Sequence, residues 1–278
     1  MQLRLPIGLS ILADPILKNE INVLILAAGL GTRLKPLTDV WPKCLMPIGG
    51  KPLLEIWLEQ ISKLEISKVL VNLHYLSDVV VSFLKRPKYK DWVESVYESE
   101  LLGTAGTFRK NYDFFKGKTT LLIHGDNLCL CDFKSFVEFH FSTRPKFSLI
   151  TMMTFQTDSP KTCGIVELDK SGVVQKFHEK VENPPGNLAN AAIYLIEPEV
   201  LDWIQERKDI DDFSNQVLPE FLGKIATWEN KDIMRDIGNA DSLAKAQREV
   251  LFSVESDLDE WQVEFLKNPI HQSIHSIL

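Results

Sequence analysis

A chain of 278 residues that is 45% hydrophobic can bury a full core, either as one large α/β domain or as a domain with a smaller subdomain. Acidic residues outnumber basic ones, 38 to 31, for a formal net charge of −7. The basic footprint of a nucleic-acid binder is absent, so any phosphate site must rest on a few placed cations and backbone N–H groups. No apolar run approaches the roughly 20 residues of a membrane span, and four scattered cysteines form no disulfide framework, which points to a reducing, cytosolic setting without a membrane partner.

Residues 1–22 read as an extension ahead of the main fold. They are apolar, but Pro6 and Asp14-Pro15 interrupt them and no small-residue cleavage site follows, which argues against a signal peptide. The apolar run 23–26 ends in a glycine loop and predicts a buried strand. Leu54, Trp57, Leu58, Ile61 and Leu64 fall at helical spacing within 52–64. A strand is predicted at 68–73, then a helix from Ser77, a candidate cap, to about Leu84. Further strands are predicted at 93–97, 119–124 and 147–155, with helices at 103–110 and 133–141. This alternation implies a mostly parallel sheet covered on both faces.

From Cys163 the texture changes. Runs at 165–168 and 173–177 flank Asp169-Lys170-Ser171-Gly172, a hairpin signal. A proline-rich loop leads to a strand at 191–196, helices at 198–206 and 213–222, and a final helix from Asp241. Cys129 and Cys131 share a strand face without a second ligand pair and read as core thiols. His124 reads as packing, and His271 with His275 is too isolated for a metal site.

The stretch LAAGLGTRLKPLT, residues 26–38, carries the chemistry. Glycines allow a sharp turn and close backbone approach to a ligand, and successive N–H groups can face a phosphate. A dinucleotide fingerprint fails, because Leu34 stands at the third glycine and no acidic residue follows about 20 positions on. A Walker A loop fails at Leu45 and Pro52. Arg33 suits a bidentate grip on phosphate oxygens.

Together with PKCLMP at 42–47 and GKPLLE at 50–55, this stretch resembles the sugar-1-phosphate nucleotidyltransferases. LLGTAGT, LLIHGDN, CGIVELD with VVQKFHEKVENPP, NLANAAIYLIEPEVL and MRDIGNADSLAKA follow in the family's order, so the resemblance runs from about residue 23 to 246. It implies a Rossmann-like three-layer α/β/α fold with a mostly parallel mixed sheet and a smaller sugar-binding hairpin subdomain. The expected division is an extension at 1–22, a nucleotidyltransferase domain at 23–254 (nucleotide half about 23–160, sugar half about 161–240) and a tail at 255–278.

The implied reaction is attack by a sugar 1-phosphate oxygen on the α-phosphorus of a nucleoside triphosphate, with pyrophosphate leaving, in the synthesis of cell-surface polysaccharide or lipopolysaccharide precursors. Both reactants are anions, so cations must neutralise the phosphates and hold them in line. By resemblance Arg33 and Lys43 meet the phosphates, while Asp126 and Asp236 are catalytic through a shared Mg²⁺. Leu26, Ala28, Gly29, Gly31, Thr32, Arg33, Gly103 and Thr104 line the nucleotide side. Gly164, Glu179, Lys180 and Asn190 line the sugar-phosphate side. The segment 179–201 looks most like mannose- or heptose-1-phosphate guanylyltransferases, with thymidylyl or uridylyl transfer, or a non-catalytic regulatory subunit, as alternatives. The family pattern leaves room for a homo-oligomer. Val181, Ala192 and Met234-Arg235 depart from the pattern, and Ala192 adds a methyl beside the expected sugar.

Overall fold

The structure is a computed structural model that describes residues 21–250, 252 and 257–277. The extension expected at 1–22 therefore lies almost wholly outside the described residues. The first half runs β1 (Ile21–Leu26), α1 (Leu37–Val40), β2 (Pro47–Ile48), β3 (Lys51–Pro52), α2 (Leu53–Ile61), β4 (Ile66–Leu73), α3 (Ser77–Leu84) and β5 (Val93–Tyr97). It continues with α4 (Gly103–Lys110), α5 (Tyr112–Phe115), β6 (Thr119–His124), β7 (Asn127–Cys129), α6 (Phe133–Glu138) and β8 (Ile150–Gln156). The second half adds β9 (Gly164–Leu168), β10 (Val174–Glu179), β11 (Leu188–Ile196), α7 (Pro198–Gln205), β12 (Ile225–Glu229), β13 (Met234–Asp236), α8 (Ala240–Glu249), α9 (Glu260–Leu266) and α10 (Ile270–Ile277).

Both halves share one nine-stranded sheet. Strands β5, β4, β1 and β6 lie side by side in parallel, and β11 then pairs antiparallel with β6 and β8. The hairpin β9–β10 joins at the N-terminal half of β11, through Ala189 opposite Ile165. Among the described strands of this sheet only β10 and β11 run against the others.

The reason for three layers is visible residue by residue. Alternate side chains of a strand point to opposite faces. Val23 and Ile25 enter one apolar cluster with α2, α3 and α6, while Leu24 enters a second with α4 and α7. Leu121 and Ile123 divide from Leu122 in the same way, as do Val69 and Val71 from Leu70. A strand apolar at every position has to be covered on both sides. No helix among the described residues is long and apolar enough to cross a membrane.

Several boundaries differ from expectation. Ser77 is not a cap: Leu76, at φ 51°, takes the cap position and no side chain bonds the helix end. The helix expected at 213–222 divides into short turns, Phe213–Val217 and Leu218–Phe221, because Pro219 has no N–H to continue it. The strand expected from residue 147 begins at Ile150, since Ser148 N donates to Pro145 O (2.9 Å) in a turn that leaves Phe147 exposed. Beyond the helix expected from Asp241 lie two more, α9 and α10, which bury Phe265, Ile270 and Ile274 against the core.

Candidate active site

The parallel strands deliver their carboxyl ends to one edge of the sheet, where open α/β sheets build ligand sites. Strand β1 runs into the glycine loop and β6 into Gly125-Asp126. Gly125 N donates to Leu26 O (2.9 Å), and a Cβ at Gly125 would lie 2.7 Å from the Ile25 side chain, so only glycine lets the two strand ends come this close. Ala27 N donates to Asn72 Oδ1 (2.7 Å) at the end of β4. At Gly31, φ is 62° and a Cβ would meet Thr38 at 2.8 Å and Lys43 at 3.3 Å. The loop therefore folds tightly onto the Pro42–Lys43 turn. Gly29 has no neighbour within 4 Å of its missing Cβ and is open to a ligand.

The charged centre is built around Lys43, whose side chain is only 8% exposed. Its Nζ lies 2.7 Å from Asp126 Oδ2 and 3.6 Å from Asp236 Oδ1. Arg33 Nη2 stands 3.5 Å from Asp236 Oδ2 at the exposed rim. The two aspartates, 110 residues apart in sequence, meet because β13 pairs with β7, with Asp236 opposite Asn127. Burial works against the charged form of Asp126, yet the Lys43 ammonium and, next, His124 hold its carboxyl below the usual range. Among the described residues no three His, Cys, Asp or Glu side chains form a metal cluster, so this pair of carboxylates is the donor set on offer.

Beside this centre opens a cleft of about 230 Å³, lined in part by Ala28, Gly29, Lys43, Gly103, Thr104 and Asp126. Asn72, Glu98, Leu101 and His124 also line it. Glu98 is 1% exposed and has no cation among its described partners. Its Oε1 accepts from Thr107 Oγ1 (2.6 Å) and Asn72 Nδ2 (3.2 Å), and Oε2, among the described residues, only from Leu102 N at 3.5 Å. His124 Nε2 is buried without a partner among the described residues, and burial lowers the imidazole below its ordinary value. Cys44 also lines the cleft, but burial pushes its thiol up to about 12, which leaves it inert.

On the hairpin side, Glu179 faces Gly164 across β9–β10, and a Cβ at Gly164 would lie 2.6 Å from Glu179 Oε2. Lys180 Nζ reaches Glu179 Oε1 at 3.0 Å. Asn190 Nδ2 donates to Tyr194 Oη (2.6 Å) and its Oδ1 accepts from Ala192 N (2.9 Å). Asp126 and Asp212 pull the His124 imidazole toward its charged form, Lys43 and Lys180 oppose it, and burial outweighs them all.

The nucleotidyl transferase family model matches residues 22–252. The chain belongs to that family. It is 34% identical over 192 residues to mannose-1-phosphate guanylyltransferase 1 of Arabidopsis thaliana, covering 67% of this chain and 52% of that one. It is 27% identical to the mannose-1-phosphate guanylyltransferase of Mycobacterium tuberculosis, over 84% of this chain and 65% of that one. The chain thus spans about half to two thirds of the length of these curated relatives. The crystal structure of HddC from Yersinia pseudotuberculosis complexed with GMP-PN superposes with a TM-score of 0.66 at 26% identity, covering 82% of this chain and 98% of that one.

Within this nucleotidyl transferase fold the expected residues fall into two groups. Leu26, Ala28, Gly29, Gly103, Thr104, Lys43 and Asp126 share the cleft, whereas Asp236 and Arg33 are not in its lining and connect to it through the ion pairs Lys43–Asp236 and Arg33–Asp236. Gly31 and Thr32 belong to the glycine loop but are not in the cleft lining. Gly103 has a fold reason of its own: at φ 74°, a Cβ would lie 2.3 Å from Asp211 O. The Thr104 hydroxyl accepts from Phe213 N (2.6 Å), so its oxygen is engaged by the protein. Gly164, Glu179, Lys180 and Asn190 stand outside the cleft lining, and the Asn190 amide is already bonded. Sequence reasoning passed over Asn72 and Glu98, although a lone Asn and a Glu at the ends of two β-prone runs were the available signal.

Proposed function

We propose that this chain transfers a nucleotidyl group from a nucleoside triphosphate to a sugar 1-phosphate, giving a nucleoside-diphosphate sugar and pyrophosphate. The observation that carries the reading is Lys43, a buried ammonium 2.7 Å from Asp126 and 3.6 Å from Asp236, at the end of a cleft floored by glycine-loop backbone. Lys43 and Arg33 neutralise the reacting phosphates, and glycine-loop N–H groups orient them. No side-chain nucleophile is required, because the sugar phosphate itself attacks; catalysis is positioning and charge stabilisation. Asp126 and Asp236 would hold Mg²⁺, which takes one or two carboxylates and completes its shell with phosphate and water oxygens, and which supplies positive charge at the triphosphate when bound.

For the substrates we infer GTP with mannose- or heptose-1-phosphate. The Arabidopsis and mycobacterial relatives are named for that reaction on mannose 1-phosphate, and HddC carries GMP-PN. Glu98 supports the base assignment. Guanine presents two adjacent donors, its ring N–H and its amino group, which a cleft carboxylate with a lightly used oxygen can accept. Glu179 and Lys180 suit sugar hydroxyls and the sugar phosphate. Four free cysteines are compatible with reaction in the cytoplasm.

The test is a panel of nucleoside triphosphates against sugar 1-phosphates, reading pyrophosphate release. Release should require both reactants, be greatest with GTP and a manno-configured sugar, and stop with EDTA. Greater turnover with dTTP or UTP would move the assignment to thymidylyl or uridylyl transfer. Binding without turnover across the panel would leave a regulatory subunit.

A further inference from the structure

We propose that Trp41 is a positioning residue for Lys43, and that helix α9 holds Trp41 in place, which makes the C-terminal helical segment beyond the family match part of the active unit. The proposal rests on the reading of Lys43 given above.

Lys43 sits in a short helical turn, Lys43–Leu45, which hydrogen bonds from Leu45 N to Pro42 O and from Met46 N to Lys43 O (both 3.0 Å) draw tight. Trp41 clasps the turn from outside: its indole Nε1–H donates to Leu45 O at 2.8 Å. Pro42 lies between the clasp and the lysine, with φ −67° fixed by its ring. The Trp41 indole therefore sets the turn from which Nζ projects toward both aspartates. Packing alone asks for an apolar ring at position 41; the hydrogen bond to Leu45 is what an indole adds.

Trp41 is in turn seated against α9. Its ring centroid lies 5.9 Å from Phe265 and 6.5 Å from Trp261, which themselves stack at 5.2 Å and 17°. Trp261 meets Phe83 edge-on at 5.0 Å and lies under the Arg86 guanidinium at 5.2 Å. Arg86, 4% exposed, binds both ends of the arrangement: Nε to Asp259 Oδ2 (2.7 Å) at the start of α9, and Nη1 to Glu55 Oε2 (2.8 Å) on α2. Breaking a buried pair of this kind leaves an uncompensated charge, so α9 is anchored rather than loosely laid on. The line of contact runs from Arg86 through Trp261 and Phe265 to Trp41, and from Trp41 through the turn to Lys43.

Double-mutant cycles on the full chain test this, with kcat, KM and thermal midpoint measured for each variant. Trp41→Phe keeps a smaller ring against α9 and deletes the bond to Leu45. It should lower kcat about 10-fold, within the range of an ångström-scale misplacement, with little change in KM and a midpoint lowered by about the cost of one unpaired buried carbonyl. Trp261→Leu should lower kcat in the same way; should it fail to fold, Phe265→Leu, on the other contact of the Trp41 ring, replaces it. In a Lys43→Ala background both losses should disappear, because residues acting through one group are not additive. An unchanged kcat in Trp41→Phe, or an equal loss with and without Lys43, overturns the proposal. A Trp261 (or Phe265) variant that folds and keeps full kcat overturns the part assigned to α9. Lys43→Ala without effect sinks the assignment of Lys43 itself and this proposal with it, whereas a Lys43 effect without coupling sinks this proposal alone.

Discussion

Ala192 occupies a backbone conformation, φ 56°, that L side chains adopt at a cost of about 1–2 kcal/mol. It sits in the register break of β11 between Asn190 and Tyr194, at a position where the resemblance to the family leads one to expect glycine. The departure noticed in sequence as an extra methyl near the sugar is thus also a backbone matter. Ala192→Gly should stabilise the protein by about 1 kcal/mol, seen as a higher urea midpoint at unchanged m-value. A lower midpoint would mean that the surrounding strands already relieve the strain. Glu98 is the other residue whose meaning depends on its surroundings. Glu98→Gln replaces an acceptor pair by one acceptor and one donor, and should raise KM for GTP by about 10-fold or more while affecting UTP less. An equal rise for both nucleotides would assign Glu98 to holding Asn72 and Thr107 alone.

At the scale of elements, the two-residue and three-residue strands matter beyond their length. The β7–β13 pairing is what places Asp126 and Asp236 on either side of Lys43. Gly238 follows this ladder, and a Cβ there would come within 2.4 Å of Asp236 Oδ2 and 2.9 Å of Arg33 Nη2. Both side chains end in solvent and can move, so Gly238→Ala should leave the thermal midpoint nearly unchanged while kcat falls about 10-fold through their displacement. Gly103→Ala should behave in the opposite manner. Its Cβ would strike Asp211 backbone at 2.3 Å from a φ of 74°, and the expected loss is about 2 kcal/mol or more of stability. If Gly238→Ala lost stability and kept its kcat, the ladder would be a fold element only.

For the whole molecule, buried histidines set the acid limit of stability. His140 is 1% exposed, with Nδ1 2.7 Å from Thr151 Oγ1 and Nε2 3.3 Å from Glu197 Oε1. Burial lowers its imidazole despite the pull of Glu197, and Arg144 adds to the lowering. His271, against Phe265, is lowered by burial as well. A histidine held below its unfolded value binds its proton more readily in the unfolded chain. Its contribution is complete above about pH 6.5 and is lost as pH falls from there through the folded value. Glu197 opposes burial with His140 and Arg144 and is held below the usual carboxylate range, so its own contribution is lost at still lower pH. Thermal midpoints should therefore decline from about pH 6.5 downward in two stages, and His140→Gln should shrink the first. A midpoint flat between pH 7 and 5 would contradict this.

What the sequence determined by itself was whatever depends on neighbours along the chain. Strands apolar at every position forced cover on both faces, glycines announced the loop, and the order of motif blocks named the family. Arg33, Lys43, Asp126 and Asp236 were legible as residue types suited to phosphate and a hard cation. What only the tertiary structure decided was which of them meet. Asp236 reaches Lys43 through a ladder of three residues, too short to leave a periodic signal. Glu98 became a cleft residue because β4, β5 and α4 converge on it with uncharged donors. Trp261 and Phe265 stand at helical spacing, yet only packing brings them to Trp41, 220 and 224 residues earlier in the chain. Periodicity and motif are local, whereas burial, pairing and the approach of charges are properties of contacts between segments distant in sequence, and those contacts exist only once the sheet has assembled.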